Sequence, residues 1–102
     1  LRNNSEVYRQ DVFRLIEILE KKHIRFDYIY VDPPFDQEHI FDKIMMRLGT
    51  GQFLNPEGII IIRTSRKKTM NNNYKVLSRF RMNQYGESVL HYYCLDKEEK
   101  DL

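Results

Sequence analysis

The ten residues from Phe26 to Phe35, Phe-Asp-Tyr-Ile-Tyr-Val-Asp-Pro-Pro-Phe, constrain this chain more than any other stretch. A β-prone apolar run stops abruptly at Asp32. Pro33 cannot continue a central strand, because it has no N–H to give to the ladder. Two consecutive prolines stiffen the backbone and push Asp32 away from helical geometry. The expected product is a rigid platform at the carboxyl end of a strand, where open α/β sheets place their ligands. It offers one carboxylate, that of Asp32, one or two outward carbonyls, and one aromatic ring, that of Phe35. Acceptors beside an aromatic face suit a flat base whose amine must be held and whose ring must be stacked. The plainer alternative is a turn in which Asp32 caps the next helix and Phe35 packs in the core. Isolated Asp-Pro pairs are common turn formers; the whole tetrapeptide after a buried-looking strand favours a site.

The flanks give that strand a setting. Ser5 to Arg9 reads as a short strand by alternation. After Asp11, apolar residues recur at helical spacing (Val12, Phe13, Leu15, Ile16, Ile18, Leu19) as far as Lys22. The near-continuous apolarity of Phe26–Val31 predicts a strand covered on both faces. Ile40, Phe41, Ile44, Met45 and Leu48 predict a second amphipathic helix ending near Gly49. Asn55-Pro56-Glu57-Gly58 reads as a turn, Ile59–Ile62 as a buried parallel strand, and Ser65–Asn73 as a basic, Asn-rich loop. Lys75–Gln84 and Ser88–Leu95, either side of Tyr85-Gly86-Glu87, read as an antiparallel hairpin. The fold class is therefore α/β, with a sheet that is parallel at first and closes on an antiparallel hairpin.

Composition narrows the function classes. The chain has 102 residues, 41% of them apolar, which suits one globular unit with a real core. A formal charge of +2 does not by itself require a polyanionic partner, but Arg63, Arg66, Lys67 and Lys68 cluster after the Ile strand. Phosphate neutralisation drives much of nucleic-acid affinity, so these four are candidate RNA contacts; a solvated surface loop is the plain alternative. The lone Cys94 excludes an internal disulfide, fits a reducing cytoplasmic setting, and is expected to be buried. Apolar runs stay far short of the ~20 residues needed to span a membrane. The histidines lack metal-ligand spacing, so no metal is expected.

The Phe26–Phe35 segment, Leu54-Asn55-Pro56-Glu57-Gly58 and Tyr85-Gly86-Glu87-Ser88, in that order and at those distances, resemble a known family. They are similar to class I S-adenosylmethionine-dependent methyltransferases, and more narrowly to the RsmD family of bacterial small-subunit ribosomal RNA guanine-N2 methyltransferases. The likeness runs from about Asn4 to Tyr93. It implies that residues 1–102 are the carboxyl-terminal part of one Rossmann-like methyltransferase domain, with 96–102 as a flexible tail. It implies ribosomal RNA or the small ribosomal subunit as partner and S-adenosylmethionine as cofactor.

The roles implied fall on few residues. Asp32 and the Pro33 carbonyl would accept the two N–H bonds of the base amine, Pro34 would hold the corner, and Phe35 would stack on the ring. Asp32 would also face the cofactor. Asp11, followed by Val12, would lie near the cofactor's adenine amine; a helix N-cap is an equally good and compatible reading of Asp11. Arg63 departs from the family, which commonly ends this strand with an acidic residue. A Gly-rich loop after a first strand and an acidic ribose partner are not in this sequence. The amino-terminal cofactor strands are thus expected to be missing. The chain alone is expected to bind the cofactor weakly or not at all, and to self-associate through an unpaired edge of Phe26–Val31. Two other readings compete: a DNA adenine or protein-glutamine N-methyltransferase, and a non-catalytic α/β module binding RNA through Arg63–Lys68.

Overall fold

The computed structural model describes residues 12–32 and 39–96. The expected Ser5–Arg9 strand, the Pro33–Phe35 corner and residues 97–102 of the expected 96–102 tail lie outside them, whereas Asp96 is half-buried with its N–H bonded to the Val76 carbonyl. Helix α1 spans Val12–Lys22 and turns Ile16 inward, with Phe13 and Leu19 packed beside it. Lys21 and Lys22 fill its last turn, where cations suit the helix dipole. His23 ends it in the left-handed region, at φ 57°, its N–H bonded to the Glu20 carbonyl. Strand β1 follows at Phe26–Val31.

Helix α2, Phe41–Thr50, buries Phe41, Ile44, Met45, Leu48 and Gly49, a spacing that draws one apolar stripe along a helix. Strands β2 (Leu54–Ser65), β3 (Asn73–Tyr74), β4 (Leu77–Tyr85) and β5 (Ser88–Leu95) complete the chain. The sheet order is β1-β2-β5-β4-β3. β1 and β2 are parallel, and the remaining pairs are antiparallel. The expected hairpin is present, with Tyr85 paired to Ser88 across a tip whose Gly86 has φ 60°. Glycine takes that angle without the Cβ penalty of other residues.

Register explains the core. Ile29 and Val31 of β1, Ile60, Ile62 and Thr64 of β2, and His91 and Tyr93 of β5 lie on one face of the sheet. The apolar residues among these join Ile16 of α1 and the apolar stripe of α2 in a single buried cluster, and Thr64 and His91 are buried polar residues on the same face. Both helices therefore pack on the same face, and Arg47 of α2 reaches Glu20 of α1 at 3.3 Å.

Several expectations are corrected. β1 is not covered on both faces: Asp27 is exposed and Tyr28 is 70% exposed, and β1 is the edge of the described sheet. The Ile strand is not wholly parallel, because β5 pairs with it antiparallel on its other side. Ile60 and Ile62 are fully buried, whereas Ile59 and Ile61 on the opposite face are only half-buried.

Asn55–Glu57 is not a free turn. Leu54 pairs with Phe26 and Ile59 with Tyr28, so the extra residues arch out of β2 as a bulge. Asn55 donates from Nδ2 to Asp27 Oδ1 at 2.8 Å, which ties the bulge to β1 and gives Asp27 its structural place. The basic stretch does not begin as a loop either: Arg63 and Ser65 are strand residues of β2, and Asn73 belongs to β3. Cys94 is half-buried, not buried.

Candidate active site

β1 and β2 run parallel, and β2 continues past the last β1 pair, Val31 with Ile62, as far as Ser65. Asp32 follows Val31 directly, and Val31 pairs with Ile62, which places Asp32 at the carboxyl end of β1, beside Arg63 of β2. The Arg63 guanidinium donates to Asp32 Oδ1 at 3.5 Å, with both side chains partly exposed. Ion pairs of this exposure add little stability; their value here is orientation. The pair holds the carboxylate toward β2 at the strand end where a ligand would lie. Pro33, Pro34 and Phe35 follow in sequence but lie outside the described residues, as does Asp11. Val12 opens α1, and nothing is described of its side chain.

The basic stretch is largely neutralised. Arg66 pairs with Glu87 at 3.1 Å, and Lys68 pairs with Asp42 of α2 at 3.1 Å. Lys67 is exposed. With Arg63 on Asp32, three of the four cations read from sequence as RNA contacts have carboxylate partners inside the fold. Those partners come from the end of β1, the hairpin tip and the first turn of α2.

Two buried polar groups escaped the sequence reading. Thr64 is fully buried, and its hydroxyl donates to the Ser65 carbonyl at 2.9 Å. That leaves its oxygen to accept from His91 Nε2 at 3.0 Å. Arg79 of β4 lies 3.0 Å from His91 Nδ1, and a guanidinium only donates. His91 is thus neutral, with its proton on Nε2. Burial, and then the Arg79 charge, lower its pKa from 6.5 to about 4. The second group lies under the Asn-rich loop. The Tyr74 hydroxyl donates to Asp42 Oδ1 and accepts from the Asn71 N–H at 2.9 Å. Burial, and then the bond to Asp42, push its pKa far up. Tyr93 donates to the Asn71 carbonyl at 2.6 Å, and burial foremost raises its pKa to about 12.

The sequence did carry a signal for the first group. Thr64 and His91 continue the inward rows Ile60-x-Ile62-x-Thr64 and His91-x-Tyr93, where a polar residue needs a partner. Which partner it finds depends on cross-strand register. Among the described residues no cluster of His, Cys, Asp and Glu could hold a metal ion, and no helix is long and apolar enough to cross a membrane.

The sequence model of the family described as conserved hypothetical protein 95 matches residues 1–94. No curated protein matches the chain significantly. A conserved hypothetical protein from Streptococcus pyogenes superposes with a TM-score of 0.69 at 22% identity, over 79% of this chain and 48% of its own. A Haemophilus influenzae protein, provisionally described as a methylase, gives 0.60 at 19% identity, over 76% and 48%. An Escherichia coli protein, provisionally described as a methyltransferase, gives 0.57 at 18%, over 69% and 39%. The chain thus spans about half the length, or less, of these structures. The mixed α/β sheet is the Rossmann-like sheet found in methyltransferases.

Proposed function

The chain belongs to the family of conserved hypothetical protein 95, and from that premise we propose that the protein carrying it methylates the exocyclic amine of a guanine in small-subunit ribosomal RNA, in the cytoplasm. The observation that carries the proposal is Asp32, a partly exposed carboxylate at the carboxyl end of β1 in a parallel strand pair, oriented by Arg63. An exocyclic amine is a poor nucleophile, because its lone pair is delocalised into the ring. Asp32 accepts one amine N–H and the Pro33 carbonyl accepts the other, which turns the lone pair out of the ring plane. Phe35 stacks on the base, and Pro34 keeps the corner stiff. Positioning of this kind supplies much of the rate in reactions that need no strong base.

S-adenosylmethionine is the methyl donor that the reading requires. The four glycines do not line an approach for it: Gly49 lies against Tyr74, Gly51 against Phe53, and Gly58 against Leu54 and Phe26, while Gly86 is at the hairpin tip. Asp32 is the described residue that this reading sets beside the cofactor, and the 102-residue chain alone is expected to bind it weakly or not at all. The ion pairs of Arg66 and Lys68 speak against the rival reading of a binding module working through the basic stretch.

The test is transfer of labelled methyl groups to small ribosomal subunits from cells lacking the enzyme, using the protein at its natural length. Label is expected in a guanine, and Asp32→Ala is expected to lower it about 100-fold, the scale of lost positioning. Equal labelling by the variant, or label confined to DNA or protein, would overturn the proposal.

A further inference from the structure

The hairpin of β4 and β5 carries a charge and an aromatic surface that the site above does not use. Its positive charge is uncompensated. Arg79 meets the His91 ring, the Asn72 amide and the Tyr93 hydroxyl, while Arg81 lies beside Asn83 and over the Tyr92 ring, 5.4 Å from its centre. Neither meets a carboxylate among the described residues. β4 itself, Leu-Ser-Arg-Phe-Arg-Met-Asn-Gln-Tyr, contains no acidic residue. Large apolar side chains stand out on the same strand: Phe80 is 51% exposed, Met82 54% and Tyr85 59%. Phe80 and Tyr92 are tilted ring neighbours at 6.1 Å, so Phe80, Arg81 and Tyr92 form one cluster.

Position adds to composition. Ser65 pairs with Ser88 and Ser88 with Tyr85, so the hairpin tip lies at the same end of the sheet as the carboxyl ends of β1 and β2. From β1 through β2 and β5 to β4 there are three interstrand spacings, or roughly 14 Å. A strand of nucleic acid with one base at Asp32 would bring its next few nucleotides across this hairpin.

We propose that Phe80, Arg81, Tyr85 and Tyr92, on the face of the hairpin opposite His91 and Met82, form a stacking surface for single-stranded RNA flanking the target base. Exposed aromatics give sequence-tolerant base stacking, and an unpaired guanidinium beside them supplies phosphate or cation–π contact. A second copy of the chain is the less favoured occupant. β3 covers only Ser78 and Leu77 of the outer edge of β4, but the register shift between Arg79 and Arg81 and the Arg81 charge blunt that edge against strand addition. The proposal rests on the RNA reading above and names a contact surface for it.

The experiment measures binding of the 102-residue chain to a short labelled single-stranded oligoribonucleotide and to the corresponding duplex, over a salt series. Phe80→Ala and Tyr85→Ala are each expected to weaken single-strand binding about tenfold, within the range for one lost stack. Arg81→Ala should lower the slope of log affinity against log salt by about 0.7. The duplex, whose bases are not free to stack, should bind more weakly than the single strand. Variants that keep the wild-type circular dichroism and urea midpoint, yet bind the single strand as tightly as wild type, would overturn the proposal. So would a concentration-dependent dimer that Phe80→Ala abolishes in a chain with no RNA affinity. The two readings separate in the natural-length protein. Normal RNA binding by the hairpin variants, with methyl transfer lost in Asp32→Ala, removes the stacking surface alone. Lost binding, with methyl transfer intact in Asp32→Ala, removes the acceptor role and leaves the surface.

Discussion

The buried His91 makes a quantitative prediction about acid. In the folded chain its pKa is about 4 against an ordinary 6.5, because burial disfavours the imidazolium and Arg79 repels it. The ring is 3% exposed, so solvent screens little of this. Between the two values the unfolded chain binds the proton and the folded chain does not, so stability rises with pH there. The contribution is fully present above 6.5 and is lost as pH falls toward 4. Linkage puts the loss at about 2 kcal/mol at pH 5, and at about 3 kcal/mol below both values. Protonation would also oppose two cations, since Nδ1 would lose its role as acceptor from Arg79. The assay is urea unfolding between pH 7.5 and 4.5 for wild type and His91→Gln. The variant keeps a donor for Thr64 and an acceptor for Arg79 on a side chain that cannot titrate. Wild type is expected to lose about 2 kcal/mol more than the variant on passing to pH 5. Parallel curves for the two proteins would refute a neutral, buried His91.

Two further perturbations test the packing. Gly49→Ala should destabilise the fold by about 1–3 kcal/mol in urea unfolding although alanine favours helix, because overpacking outweighs propensity; its Cβ would stand 2.2 Å from the Tyr74 carbonyl oxygen, and a stabilised variant would show that α2 and β3 are not in that contact. Phe41→Ala empties a fully buried site at the start of α2 and should cost about 3–5 kcal/mol in the same assay, so a loss under 1 kcal/mol would mean that the core lies elsewhere.

Most of the fold was legible because its signals are local. The spacing of Phe41, Ile44, Met45 and Leu48 sets out α2, and Tyr85-Gly86-Glu87 sets out the hairpin tip. What stayed hidden depends on partners distant in sequence. Pro56 and Gly58 look like turn residues, yet the pairing of Leu54 with Phe26 holds the segment in β2 as a bulge. Tyr28 sits in an apolar run that suggests a fully covered strand, but burial is decided by what packs on each face, and the helices share one face. Asp32 stood out through its prolines, whereas its ion pair with Arg63 needed the parallel register of β1 and β2. The sequence shows Arg66 and Lys68 only as neighbouring cations; that Glu87 and Asp42 pair with them depends on the hairpin tip and α2 reaching that stretch.

The position of β2 also bears on how quickly this chain can fold. Ile62 pairs with Val31 on one side and with His91 on the other, so roughly thirty residues must be looped out for each pairing, which is slow relative to local contacts. The β4–β5 hairpin, and the short β3–β4 pair, can zip from their own turns. The central strand therefore waits for both neighbours, and the apolar run from Ile59 to Ile62 stays open to other chains for as long as that wait lasts.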